Sequence, residues 1–291
     1  MIRIFIETKM AKKMENSKNV AVLITCHNRR HKTLACLEAL YNCKMPEGYA
    51  YDVFLVDDGS TDGTGEAVRT SYPKVNVIQG NGNLYWNRGM HLAWKTAAEK
   101  QHYDFYLWLN DDSYLYNNAL QEIICCSEKM QHNALICGFL CSEKDSIKTT
   151  YGGSTLTKKL NPNGDLQNVS LINGNVVLIP VIIFNSVGLI DRIFPHAIGD
   201  YDYGQKVIKN RFEVKTTTAF VGTCEKNEKL PLWCYRSTPL LKRIKYLYSP
   251  LGSAHPYYFF IYEKRHFGLL VAIKHFISIH LRVLFPDLWK Q

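Results

Sequence analysis

Three short apolar runs along this chain each stop in a polar cluster. Val20–Thr25 (VAVLIT) leads into Thr25-Cys26-His27-Asn28-Arg29, Asp52–Val56 (DVFLV) into Asp57-Asp58-Gly59-Ser60, and Phe105–Leu109 (FYLWL) into Asn110-Asp111-Asp112-Ser113. Unbroken apolar runs of this length predict strands buried on both faces, the environment of a parallel sheet. Between them the spacing turns helical. Thr33–Leu40 places Leu34, Leu37 and the Ala39–Leu40 pair on one side. A second helix is expected from Asp62 or Thr64 and a third over Gly89–Lys100, with a further strand over Val75–Gln79. This alternation predicts an α/β fold with a mostly parallel central sheet flanked by helices. Open parallel sheets bind ligands beyond their C-terminal strand ends, where the three polar clusters fall.

After residue 115 the pattern is mixed. Gly152-Gly153 and Asn161-Pro162-Asn163-Gly164 predict hairpins, Ile172–Ile179 one more strand, and the chain from Leu240 is basic, aromatic and helical. The expected organisation is an extension (1–19), a catalytic domain (20–226, in halves 20–115 and 116–226) and a C-terminal appendage (227–291). Of 291 residues, 46% are hydrophobic and 21% charged, which excludes a disordered or collagen-like chain. The net charge of +9 sits almost wholly in the two end segments, so it reads as a contact surface.

Nine scattered cysteines without a CxxC pair predict reduced, mostly buried thiols in a cytoplasmic protein. Arg3 and Glu7 break the first apolar stretch, so no secretory signal is expected, and no uncharged apolar run is long enough to cross a bilayer. Within Lys264–Phe285, Lys274, His275, Ser278 and Arg282 form a basic stripe between Leu, Ile and Phe residues, and Lys242, Arg243 and Lys245 add charge upstream. Two readings stand: a helix docked on the inner-membrane surface through 240–285, or one packed on the catalytic domain or a second subunit. The first makes the protein peripheral on the cytoplasmic face, and the second leaves an oligomer open. A nearly neutral body without an RNA motif argues against a nucleic-acid partner.

No G-x-G-x-x-G follows the first strand and no G-x-x-x-x-G-K-[ST] occurs. A strand-end carboxylate pair holding Mg²⁺ or Mn²⁺ is the remaining device for a diphosphate.

VAVLITCHNR, FLVDDGSTDGT, GNGNLYWNRGMHLAW and LWLNDDS, in this order over Val20–Ser113, resemble the N-terminal half of family 2 glycosyltransferases, which have the GT-A fold. The third segment is most similar to the bacterial rhamnosyltransferase and galactofuranosyltransferase-like branch. NGNVVLIP and VGLIDRIFPHAIGDYDYGQKV resemble the acceptor half, and the likeness thins after residue 225.

The resemblance implies an inverting, metal-dependent transfer from a UDP- or dTDP-sugar to a bacterial surface glycan or lipid-linked acceptor. It places Thr25, His27 and Asp58 at the nucleotide base, and Asn28 and Arg29 near the base or diphosphate. Asn83 and Trp86 fall on the donor side. Asn110-Asp111-Asp112 occupies the DxD metal motif, with Asn in the first place, so Asp112 and then Asp111 are the expected metal ligands. Asp200 stands at the catalytic base, with Asp202 as the alternative. Some relatives add a metal-binding His after the base. Here AFVGTCEKN offers only Cys224, so the third ligand is absent or comes from elsewhere, such as His255. Two other readings compete. A nucleotidyltransferase wants a glycine-rich basic loop where Thr25–Arg29 stands. A catalytically silent nucleotide-binding or membrane-docked partner has Asn110 as its only hint.

Overall fold

A computed structural model describes residues 17–226, 230–252 and 254–288. The expected extension 1–19 lies largely outside these residues.

Nine strands form one sheet in the order β3-β2-β1-β4-β8-β6-β9-β5, with β7 on the side of β6. The first four are β1 (Lys18–Cys26), β2 (Tyr49–Asp57), β3 (Asn76–Gln79) and β4 (Phe105–Leu109). They run parallel, as the sequence predicts, with Val22 opposite Val53 on one side and Leu107 on the other. Beyond β4 the sheet is mixed. β8 (Val176–Pro180) is antiparallel to both β4 and β6 (Ala134–Cys141), and β9 (Glu213–Thr223) returns parallel to β6. β5 (Tyr114–Leu115) closes the far edge against β9, and β7 (Thr149–Tyr151) adds a short hairpin. Small bridges from Ser154 to Lys159 and Leu171 continue the hairpin region around Gly152-Gly153.

Both faces of the sheet are covered, which is why its strands read as continuous apolar runs. Val20, Val22 and Ile24 pack on one side against α1 (Arg30–Tyr41) and α4 (Ala119–Lys129). Ala21 and Leu23 face the other, where α3 (Tyr85–Lys100), α5 (Val181–Val187) and α6 (Gly199–Lys209) supply Trp94, Ile183 and Tyr203. The small helix α2 (Thr64–Ser71) joins the first core through Val68. All nine cysteines are free thiols and only Cys125 is exposed.

Three sequence boundaries move. Helix α3 starts at Tyr85 rather than Gly89, because the Asp58 carboxylate on the β2 loop accepts the N–H groups of Leu84 and Tyr85 at 2.8 and 2.9 Å. A helix start satisfied from a distant strand leaves no local capping signal. The strand expected over Ile172–Ile179 begins only at Val176, since 172–175 is irregular and turns into a cavity. The helical stripe over Lys264–Phe285 is broken: α8 (Pro256–His266) and α9 (Leu269–Leu284) meet at Gly268, whose φ of 98° no other residue adopts cheaply.

With α7 (Leu240–Leu247), these helices form the appendage around Trp233, Cys234, Leu247, Ile279 and Val283. Among the described residues no helix is long and apolar enough to cross a membrane.

Candidate active site

The C-terminal ends of β1, β2 and β4 open into a cavity of about 1030 Å³. Its wall includes Thr25, His27, Arg29, Asp58, Trp86, Asn110, Asp111 and Asp112 from the first half of the chain, and Asp200 from the second. Asn28, Asn83, Asp202 and His255 do not line it.

The loop after β1 is held from below. His27 Nδ1 lies 2.6 Å from the Asp58 carbonyl oxygen. Asn28 sits on the rim with φ +50° and accepts the Thr61 N–H at 2.7 Å, so it braces the loop. Thr25 lies under Gly89 of α3, where a Cβ would stand 2.2 Å from Thr25 Oγ1. Helix α3 can cross this close only because Gly89 has no side chain.

Asp58 is buried and already engaged. Its carboxylate accepts N–H groups from Gly82 (2.8 Å), Leu84 (2.8 Å) and Tyr85 (2.9 Å). A carboxylate has about four acceptor positions, so one is left for a ligand. The main work of Asp58 is to hold the loop that presents Trp86. Asn83 stands on the exposed outer side of that loop.

The strand-end carboxylates form an ion cluster. Arg29 reaches Asp111 at 3.0 Å and Asp112 at 2.9 Å, while Lys32 lies 3.7 Å from Asp112. Asp111 is turned inward and its carboxyl is pushed up to about 6 by burial, against the opposing pull of Arg29. Asp112 is the more open of the two. Cys224 Sγ comes within 3.7 Å of Asp112 Oδ1, so a thiol occupies the place sought for a third ligand. His255 instead packs against Tyr248 and Tyr258. Among the described residues no group of three His, Cys, Asp or Glu could hold a metal ion. The residues do fit a cation bound by one or two carboxylates and completed by phosphate oxygens, a usual arrangement for Mg²⁺.

Asp200 and Asp202 sit in the first turn of α6 and part company. Asp200 reaches the cavity, and its oxygens accept the N–H groups of Gly174 (3.0 Å) and Tyr201 (2.9 Å). No cation contacts it among the described residues. Burial raises its carboxyl to about 6, against the lowering effect of those N–H groups. Asp202 is 0% exposed and faces the appendage. There Lys206 (2.8 Å), His266 (2.9 Å) and Arg265 (3.3 Å) surround it. Burial alone would raise its carboxyl, but these hydrogen bonds and charges bring it below the usual range. Asp202 fastens α6 to α8.

The motif reading missed several wall residues. His196 lies on the wall with Nδ1 lacking a partner, and burial followed by the Arg29 charge lowers its pKa. Asn173, Gly174 and Asn175, expected as strand, line the wall as irregular backbone, and Leu251 joins them from a turn. Ile198, also on the wall, precedes α6 in a left-handed conformation (φ 77°).

The glycosyl transferase family 2 model matches residues 21–194. No curated protein sequence matches significantly. Among solved structures, S. aureus TarS aligns with a TM-score of 0.53 and 14% identity over 71% of this chain, and this chain spans only 36% of that one. TarS 1-349 in complex with UDP aligns with a TM-score of 0.53 and 14% identity, covering 86% of this chain and 72% of that one. The complex with UDP-GlcNAc gives a TM-score of 0.52 and 15% identity over the same shares. These likenesses carry the fold. The chain belongs to glycosyl transferase family 2 and has the GT-A fold.

Proposed function

We propose that this family 2 member moves a sugar from a UDP- or dTDP-sugar to a hydroxyl of a bacterial surface glycan or lipid-linked glycan, inverting the anomeric carbon. The observation that carries the reading is the division of carboxylates in one cavity. Asp111 and Asp112 are held by Arg29 and Lys32, whereas among the described residues Asp200 meets only backbone N–H groups.

A carboxyl near 6 is mostly ionised at neutral pH and still basic enough to take a proton as the acceptor oxygen attacks. The acceptor oxygen bonds to the anomeric carbon, the bond to the diphosphate breaks, and the acceptor proton passes to Asp200. Asp112, with Asp111 behind it, would hold Mg²⁺ or Mn²⁺, which would supply charge neutralisation for the leaving diphosphate. Arg29 and Lys32 add positive charge beside the same carboxylates. That TarS 1-349 binds UDP and UDP-GlcNAc supports a nucleotide-sugar donor here.

The appendage supports a site of work at an anionic membrane surface. Helix α9 buries Ala272, Ile279 and Val283, and turns Leu270 (83% exposed), Ile273, Ile277 and Leu281 to the opposite side. On α7, Leu241 is 81% exposed. Residues 230–288 hold eight Lys or Arg against two acids, a balance that favours anionic lipid over a second, equally basic copy. Co-sedimentation with phosphatidylglycerol vesicles, but not phosphatidylcholine vesicles, is expected, and Leu270→Glu with Ile277→Glu should abolish it. Dimerisation without vesicle binding would reverse this assignment.

The donor test is thermal unfolding with UDP, dTDP, GDP and ADP, each with and without Mn²⁺. Ligand at a hundred times its Kd adds about 2.7 kcal/mol and should raise Tm by several degrees. A shift with UDP or dTDP that needs Mn²⁺, and is lost in Asp112→Ala, is expected. A folded protein that responds to none of the four would overturn the donor assignment.

A further inference from the structure

We propose that Asn110 is a positioning residue that fixes the Trp86 indole as the platform for the donor sugar, an inference that rests on the transfer reading above. Asn110 follows β4 at the place where the resemblance expects the first metal-binding aspartate. Its side chain does something else. Asn110 Oδ1 accepts the indole N–H of Trp86 at 2.6 Å, and its own N–H donates to the Asn175 carbonyl at 2.9 Å.

An indole has one donor and no acceptor, so this bond is its sole directional anchor. The rest of the ring is fixed by shape. Trp86 stands edge-on to Trp108, with centroids 5.9 Å apart and planes at 85°. Its other edge lies against Gly174, where a Cβ would be 2.4 Å from Cζ2 and Cη2. The same Gly174 donates its N–H to Asp200. The indole and the base are therefore set by one backbone segment, and both reach the cavity.

This arrangement explains why Asn can serve where Asp is expected. A carboxylate here would add a third negative charge beside Asp111 and Asp112 and be drawn to a cation. A neutral carboxamide leaves its oxygen with the indole. The position exchanges a cation ligand for an aromatic anchor, and a ring held this way offers an apolar face to the C–H face of a sugar. Asn110 is thus part of a working site rather than a mark of a silent one.

The test uses the full chain with Mg²⁺ and UDP, dTDP, UDP-glucose, UDP-galactose or dTDP-glucose. Loss of one indole N–H resonance in Trp86→Phe identifies the Trp86 signal. In the wild type at least one sugar nucleotide should move this signal where its bare nucleotide does not. Asn110→Ala should abolish that difference while bare-nucleotide affinity stays within twofold. Asn110→Asp, whose carboxylate is drawn toward a cation instead of the indole, should not restore it. Donor turnover should fall about tenfold in kcat for Asn110→Ala and for Trp86→Phe, the scale of one hydrogen bond. The double variant should be no slower than either single one.

Multiplicative losses in the double variant, or a signal indifferent to every sugar nucleotide that binds, would overturn the proposal. A folded protein that binds none of these nucleotides would instead remove the transfer reading, and this inference with it.

Discussion

The two sides of helix α6 differ more than two residues of sequence suggest. On the cavity side Asp200 is held by two backbone N–H groups and its carboxyl is raised to about 6. On the appendage side Asp202 is ringed by Lys206, His266 and Arg265, and its carboxyl is lowered. One residue type stands without a cation partner among the described residues at one position and is fastened by three at the other. Burial acts on both aspartates alike. Partners decide the direction.

The largest effect that would test this contrast is loss of transfer in Asp200→Asn, expected at about 10³-fold in kcat with nucleotide affinity retained. Equal loss in Asp202→Asn at full stability would break the comparison. Next in size is the stability cost of Asp202→Ala. Removing one partner from a buried ion cluster costs about 3–5 kcal/mol, which calorimetry should register as a Tm lower by roughly ten degrees. Asp202→Asn keeps a hydrogen-bond acceptor and should lose less.

A third effect is the acid limb of the rate. With the proposed base Asp200 ionising near 6, kcat should fall as pH drops below that value, by at least tenfold per pH unit at the limit. Asp111 ionises in the same range, so the limb belongs jointly to both groups.

The smallest effect is in stability against pH. The folded carboxyl of Asp200 lies above its unfolded value, so its ionised form is penalised in the fold; the penalty grows as pH rises through the unfolded value toward 6 and is constant above it. Asp200→Asn should therefore raise Tm modestly at pH 8 and lose that gain below pH 5. Asp202 is the reverse case, its contribution being complete at neutral pH and lost only in acid below the usual carboxylate range. A gain in Asp200→Asn that grows between pH 4 and 6, beside a loss in Asp202→Asn that is flat above pH 4 and shrinks below it, would sharpen the contrast, and parallel profiles would dissolve it.

Much of the first half was legible because the physics there is local. Buried parallel strands are short apolar runs with ligand-facing residues at their ends, and β1, β2 and β4 follow that pattern. Residues 173–175 and His196 lie in segments the resemblance singles out, but their place on the cavity wall was illegible, as was that of Leu251, because irregular backbone has no period to show which way it faces. The start of α3 and the role of Asp202 were illegible for another reason. Their partners, Asp58 for Tyr85 and Arg265 and His266 for Asp202, are 27, 63 and 64 residues away in sequence. Asn110 was read as a departure from a metal motif. Its use became visible only once Trp86 stood beside it.

Ile198, which caps the start of helix α6, is a branched residue in a left-handed conformation that costs about 1–3 kcal/mol. The cover that keeps it there is Phe194 from the preceding loop and Tyr262 from α8. A chain cut after residue 226 would retain every residue proposed for donor, cation or base, and Phe194, yet lose the Tyr262 side of that cover. Its base helix would be free to unwind at the first turn. The minimal active fragment of this enzyme is therefore longer than the span of its motifs, and a truncation series should lose turnover before it loses nucleotide binding.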